Sequence, residues 1–240
     1  LLASDLDNNR CHWIKKDRPS ICLVDQYQLV QECNILFLAI KPQQLNSVKD
    51  IAKVLPSQTI VVSMLAGVSI SSIQSTLNHS LVIRIMPNTP AKLGLGVTAV
   101  AFSDSIDKQI KTKCNQLFRS FGFVIQLENE SDMHAITALS GSGPAFFYQM
   151  VAAVASFGVS QGLKKDDALN AAIGTMMGAA KMLKEHPNPN ELIDQVSSPN
   201  GTTVAGLTEM TRLNFDDIIK RVLLASKIRS EAISKEMNHD

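Results

Sequence analysis

Charge of one sign barely outweighs the other: 23 lysines and arginines face 22 aspartates and glutamates, for a formal net charge of +1. The basic footprint of a nucleic-acid-binding surface is therefore absent, and nucleic acid is excluded as a partner. No apolar run approaches the roughly 20 residues that a bilayer requires, and no signal peptide is expected. A cytoplasmic protein with no membrane contact is expected. Cysteine is sparse. Cys11, Cys22, Cys33 and Cys114 include no CxxC pair, and equal gaps among the first three match no metal pattern. Free thiols in a reducing compartment are expected. His12, His79, His134, His186 and His239 are scattered, with no ligand pair at helical spacing, so no metal site is expected.

What is present is apolar patterning. Hydrophobic residues make up 45% of the 240 positions, enough for one large core or two small ones. Short runs rich in branched side chains cover 35–40 (ILFLAI), 60–65 (IVVSML), 81–86 (LVIRIM), 97–102 and 123–127. Such runs suit strands buried on both faces, as in a parallel sheet. Helical stripes lie between them: Leu45, Val48, Ile51, Ala52 and Leu55; Ile70, Ile73 and Leu77; Ile106, Ile110, Leu117, Phe118 and Phe121. Asp104 or Ser105 is the expected cap of the third stripe and Gly122 its stop. Strand–helix alternation with short links predicts a doubly wound, Rossmann-type α/β domain over residues 1–130.

Residues 131–240 contain no convincing strand run, and an all-α domain is predicted. Residues 144–157 are apolar nearly all round, and 167–184 mix small residues with methionines. A helix that is apolar all round must be buried on several sides, which a domain of this size struggles to do alone. Dimerisation through these helices follows. Breaks are expected at 186–189 (HPNP) and 197–201 (SSPNG), a short helix near 203–212 and a last one over 216–235.

In doubly wound sheets, ligands bind beyond the carboxyl ends of the strands. Three segments fall there: Ala39-Ile40-Lys41-Pro42, Leu65-Ala66-Gly67 and Pro87-Asn88-Thr89-Pro90. Together they point to a cofactor crevice. The fingerprint GxGxxG, which cradles a pyrophosphate after the first strand, is absent. Leu1-Leu2-Ala3-Ser4 reads as the end of a second strand, with Ser4 and Asp5 near the ribose-contacting position. The first strand and its glycine turn, about 25–30 residues, are therefore expected to lie before residue 1. In the helical half, Leu139–Ala145 (LSGSGPA) interrupts a helical pattern. Residues 196–203 (VSSPNGTT) place hydroxyls and a glycine before a helix start, a ready anion site that suits a small carboxylate.

The segments DQVSSPNGTTVAGL (194–207), LSGSGPAF (139–146) and GAAKML (178–183), with AIKP, AGVSISSI and MPNTP in order, resemble the pyrroline-5-carboxylate reductase family over the whole chain. The resemblance implies reduction of the imine of Δ1-pyrroline-5-carboxylate to L-proline with NADPH or NADH, the last step of proline biosynthesis. It implies that Ala39, Ile40, Lys41, Pro42, Leu65, Ala66 and Gly67 line the cofactor crevice, and that Asn88 and Thr89 lie near the nicotinamide. Thr203 matches the threonine whose hydroxyl faces the ring nitrogen of the substrate. Thr202 and Gly201 would offer backbone donors to its carboxylate, with Ser198 in the same loop, and Glu185 matches a glutamate near the substrate. The family's homodimers build their active sites through interleaved helices, and rings of dimers are known. Asn200 stands where the family often has glycine, and asparagine tolerates a positive φ.

Cofactor choice stays open between two readings. Asp5 would favour the free ribose of NADH; Ser4, Asn9 and Arg10 could instead surround a 2′-phosphate, and family habit leans to NADPH. Two alternatives to the reductase remain. A related 2-hydroxyacid dehydrogenase would pair a helical lysine with an asparagine, but Lys181 has none three or four residues on. The other is a catalytically inactive dimeric relic.

Overall fold

The computed structural model describes residues 1–238; His239, one of the scattered histidines, lies outside them. The chain runs β1 (Leu2–Ala3), α1 (Asn8–Asp17), β2 (Cys22–Leu23), α2 (Gln26–Glu32), β3 (Ile35–Leu38), a 3₁₀ helix (Pro42–Lys53), β4 (Ile60–Ser63), α3 (Ile70–Leu77), β5 (Val82–Pro87), β6 (Gly96–Phe102), α4 (Lys108–Phe118) and β7 (Gly122–Gln126). Helices α5 (Met133–Ile136), α6 (Gly143–Ser160), α7 (Lys165–Glu185), α8 (Pro189–Gln195), α9 (Thr202–Arg212) and α10 (Phe215–Asn238) follow, with a π-helical stretch, Thr137–Gly141, between α5 and α6.

Five strands pair in the order β3-β4-β5-β6-β7. The sheet is parallel except at β5–β6, which is antiparallel with Ile85 opposite Val100. This departs from the parallel sheet expected for the 97–102 run. The cause is the link. Residues 88–95 form only a short 3₁₀ turn over Thr89–Leu93, and a parallel return needs a crossover of a dozen or more residues. Strands β1 and β2 form a separate parallel pair.

Neighbouring residues of the central strands face opposite sides. Val61 and Val82 belong to a core with Leu36, Leu38, Ile73 and Leu77. Val62, Ile83 and Ile85 belong to another with Val100, Cys114 and Phe118. Both sheet faces are thus covered, which is why these strands read as continuous apolar runs.

Helix caps follow local chemistry. The cap of α4 is Asp107, whose carboxylate accepts from the Ile110 N–H at 2.8 Å, and not Asp104 or Ser105. Gly122 does end that region, at φ 128°, and an added Cβ there would strike the Gly96 carbonyl of the neighbouring strand. The 42–53 segment is a 3₁₀ helix where the stripe predicts α spacing. Its ends close on i+3 bonds, Gln44 N–H to Lys41 at 2.9 Å and Val54 N–H to Ile51 at 3.1 Å.

The chain divides into two compact units. One comprises Leu1–Gly141 together with the chain from Lys227 onward; the other is Ser142–Ser226. The division expected at residues 130 and 131 lies earlier than this one, and the return of the last helix, from Lys227, to the first unit has no counterpart in that expectation. In the first unit, α10 is tied down twice. His134 Nδ1 lies 3.0 Å from Ser230 Oγ, and Ser234 donates to the Gly67 carbonyl at 2.9 Å. The second unit pairs α6 with α7 through small residues: a Cβ on Gly158 would sit 3.0 Å from that of Ala168. Most of its large apolar side chains are exposed, including Phe157 and Met177, each 67% accessible. Among the described residues, no helix is long and apolar enough to cross a membrane.

Candidate functional site

In the first unit, a cavity of about 730 Å³ opens at the carboxyl ends of β1 and β3. That volume lies within the roughly 300–1,000 Å³ usual for small-molecule sites. Its wall gathers Ser4, Asp5, Ala39, Ile40 and Lys41, five of the residues expected to hold a cofactor. Position at strand ends, a carboxylate beside the first strand and a cation beyond the third make a donor set that fits the ribose side of a dinucleotide.

The geometry at Asp5 is specific. Its Oδ1 accepts the Asp7 N–H at 2.9 Å, and its Oδ2 lies 3.3 Å from Arg10 Nε. Asp7 caps α1 by accepting from Asn9 and Arg10 N–H at 2.9 and 3.4 Å. Asp7 Oδ2 also lies 3.4 Å from Arg10 Nε. The Asn9 N–H first, then that of Arg10, hold the Asp7 carboxyl below its ordinary pKa. One arginine is thus shared by two fixed carboxylates.

The other expected residues are not on that cavity wall. Leu65 is a core residue, 1% accessible, and its N–H donates to Ser63 Oγ at 3.2 Å. Gly67 adopts φ +79°, and a Cβ there would meet Ile233 Cγ2 at 2.8 Å. Its conformation serves the turn and the packing of α10. Ala66 is exposed between them, as is Thr89; Pro42 is half-buried. Asn88 is a clamp. Its Nδ2 donates to the Ser140 carbonyl at 2.9 Å and its Oδ1 accepts the Val97 N–H at 2.8 Å. It thereby fixes the π-helical stretch that ends in Ser140-Gly141. π-Helical turns occur disproportionately at functional sites.

Two residues outside the sequence expectation organise this unit. Arg84, on β5, is buried, and its Nη1 lies 2.7 Å from Glu130 Oε1. The same oxygen accepts the Ile70 N–H at 2.9 Å, at the start of α3 just beyond the 65–67 turn. The signal was in the sequence: an arginine inside LVIRIM, a run buried on both faces, requires a counter-ion. His134, four residues past Glu130, has its pKa pushed down, first by burial and then by Arg84.

In the second unit, the 197–203 loop has the shape its composition predicts. Asn200 adopts φ +58°. Gly201 approaches Ser198 so closely that a Cβ would lie 2.9 Å from its carbonyl oxygen. The Gly201 N–H is spent on that carbonyl, at 2.9 Å, so this donor is engaged inside the loop. Helix α9 starts at Thr202, one residue before the predicted start. No side chain caps it, which leaves its first-turn amides to other acceptors. Thr203 is half-buried, while Thr202 and Ser198 are exposed. Glu185 is exposed at the last position of α7.

Comparisons with known proteins converge. The family model described as pyrroline-5-carboxylate reductase dimerisation matches residues 130–233. The pyrroline-5-carboxylate reductase of Synechocystis sp. is 35% identical over 213 residues, 88% of this chain and 79% of that protein. That of Pisum sativum is 34% identical over 208 residues, 86% of this chain and 76% of that protein. Among solved structures, the pyrroline-5-carboxylate reductase of Coxiella burnetii superposes with a TM-score of 0.88 at 27% identity. It covers 97% of this chain and 88% of that one. The enzyme from Streptococcus pyogenes gives 0.84 at 28% identity, covering 97% and 89%. With relatives at this identity matched over most of their length, the chain belongs to the pyrroline-5-carboxylate reductase family.

Proposed function

We propose that this chain is a pyrroline-5-carboxylate reductase, reducing the cyclic imine of Δ1-pyrroline-5-carboxylate to L-proline with NAD(P)H. The observation that carries the reading is the 197–203 loop with the uncapped start of α9, in a chain of this family. First-turn amides and the positive end of a helix favour a carboxylate. Thr202 and Thr203 provide N–H groups there. The Thr203 hydroxyl orients the imine nitrogen and Ser198 borders the carboxylate, while Glu185 belongs to the substrate side. Ser4, Asp5, Ala39, Ile40, Lys41, Pro42, Ala66 and Thr89 would hold the dinucleotide, with Leu65, Gly67 and Asn88 shaping the turns that support it. A nicotinamide held there would supply hydride to the imine carbon, while the nitrogen would take its proton from solvent. The enzyme's own work is then to hold the reacting partners at attack distance and orientation.

The second unit, with residues 131–240 as the wider helical region, serves as the dimerisation half. Its exposed Phe147, Tyr148, Phe157 and Met177 make an apolar surface that a second copy would bury. Sedimentation of the purified chain reads out a dimer, or a ring of dimers, directly. A cytoplasmic location fits its free cysteines.

The decisive experiment is Thr203→Ala. The expected result is a kcat lowered about tenfold, the value of one positioned hydrogen bond, with nicotinamide nucleotide affinity unchanged. Normal turnover would remove Thr203 from the mechanism. Absence of imine reduction both by this chain and by one that also carries the residues expected before Leu1 would overturn the reading as a whole.

A further inference from the structure

The corner of the cavity formed by Ser4–Arg10 carries a choice that family membership leaves open. We infer that this chain selects NADH over NADPH, and that Asp5 is the residue that decides it. The inference rests on the proposed reductase reading and deepens it.

Asp5 stands two residues past β1, at the carboxyl end of a parallel strand, and lines the cavity. A carboxylate at this position in a doubly wound fold accepts the ribose 2′-hydroxyl. Asp5 is available for that bond. Each of its oxygens has one partner in the structure, Asp7 N–H on Oδ1 and Arg10 Nε on Oδ2, and a carboxylate oxygen takes two.

A 2′-phosphate would meet the opposite situation. Arg10 is the cation within reach on this side of the cavity, and its Nε is held between Asp5 and Asp7 at 3.3 and 3.4 Å. Asp7 is held in turn by its two cap bonds to α1, so it cannot swing away without uncapping the helix. The charges of Asp5, Asp7 and Arg10 sum to minus one. Lys41, the remaining cation on the wall, follows β3 rather than β1 and has no bond to Asp5, Asp7 or Arg10 among the described residues. A dianion at the ribose therefore faces a corner of net negative charge, in which two carboxylates stand within 3.4 Å of the one guanidinium, and like charges at this range repel.

The test measures equilibrium affinity of the full chain for NADH and for NADPH by nicotinamide fluorescence, beside imine reduction with each. The unsubstituted chain should bind NADH at least about tenfold more tightly, as one hydrogen bond gained against one charge repelled requires. Asp5→Asn keeps the acceptor for the Asp7 N–H and removes the charge. It should shrink that ratio about tenfold, mainly by tightening NADPH. Equal or tighter NADPH binding by the unsubstituted chain, or an unchanged ratio in Asp5→Asn, would overturn the inference while leaving the reductase reading intact. So would Arg10→Ala weakening NADPH alone, since Arg10 would then be a phosphate clamp. If neither nucleotide binds and neither supports imine reduction, in this chain and in one that also carries the residues expected before Leu1, the reductase reading fails and this inference with it.

Discussion

Arg84 Nη1 and Glu130 Oε1 meet at 2.7 Å between the central strand β5 and the segment that leads out of the sheet. The arginine side chain is 4% accessible and the glutamate 28%. Because the same carboxylate oxygen accepts the Ile70 N–H, the pair ties three separate stretches of chain together. Removing the carboxylate with Glu130→Ala strands a buried guanidinium, whose Nε already lacks a partner. The expected loss is about 3 kcal/mol of unfolding free energy, read from urea denaturation. Arg84→Met combined with Glu130→Gln should recover most of it, since no charge is then left unpaired. A loss below about 0.5 kcal/mol for Glu130→Ala would mean that solvent screens the pair like a surface one.

Asn88 is expected to act as a positioning residue rather than through contact with nicotinamide. Both halves of its amide are engaged, one with Ser140 and one with Val97. Asn88→Ala leaves both backbone groups unsatisfied and should cost about 2 kcal/mol. Asn88→Asp keeps the acceptor for Val97 and should cost less, about 1 kcal/mol. If Asn88→Ala instead keeps full stability and loses only kcat, the side chain is working on the reacting groups.

The half-buried His134 should make stability pH-dependent. Burial and then Arg84 push its pKa down from 6.5, with Lys227 acting the same way and Glu231 and Glu130 opposing. The folded chain therefore favours the neutral ring. That contribution is fully present above the unfolded pKa of about 6.5, and is lost as pH falls through the folded value. Melting temperature should drop as pH falls below about 6.5, and drop less in His134→Gln. Parallel curves for the two proteins would show that His134 titrates alike folded and unfolded.

Several features were legible in the residues because they depend on local chemistry. Five apolar runs become the five strands of the main sheet with boundaries within two residues. Asn200 takes the left-handed turn that its side chain tolerates. Other features depend on partners distant in sequence. Residue 84 calls for a counter-ion, but nothing local says that Glu130 provides it. MPNTP reads as a loop beside a cofactor, whereas the fold spends Asn88 on a carbonyl more than fifty residues away. Leu65 and Gly67 look like site residues by position, and packing against the core and α10 decides their conformations.

By itself the sequence determined the alternation of strands and helices, the change to an all-helical second half, and the family. Each of these rests on side-chain period, turn chemistry or motif, which are properties of contiguous residues. Only the tertiary structure decided the pairing of Arg84 with Glu130, the bond from Asn88 to Ser140, and the return of the second half of the last helix to the first unit. Those outcomes depend on which distant groups meet once the core closes. A charged or polar group leaving water accepts whatever partner the packing brings within hydrogen-bond range.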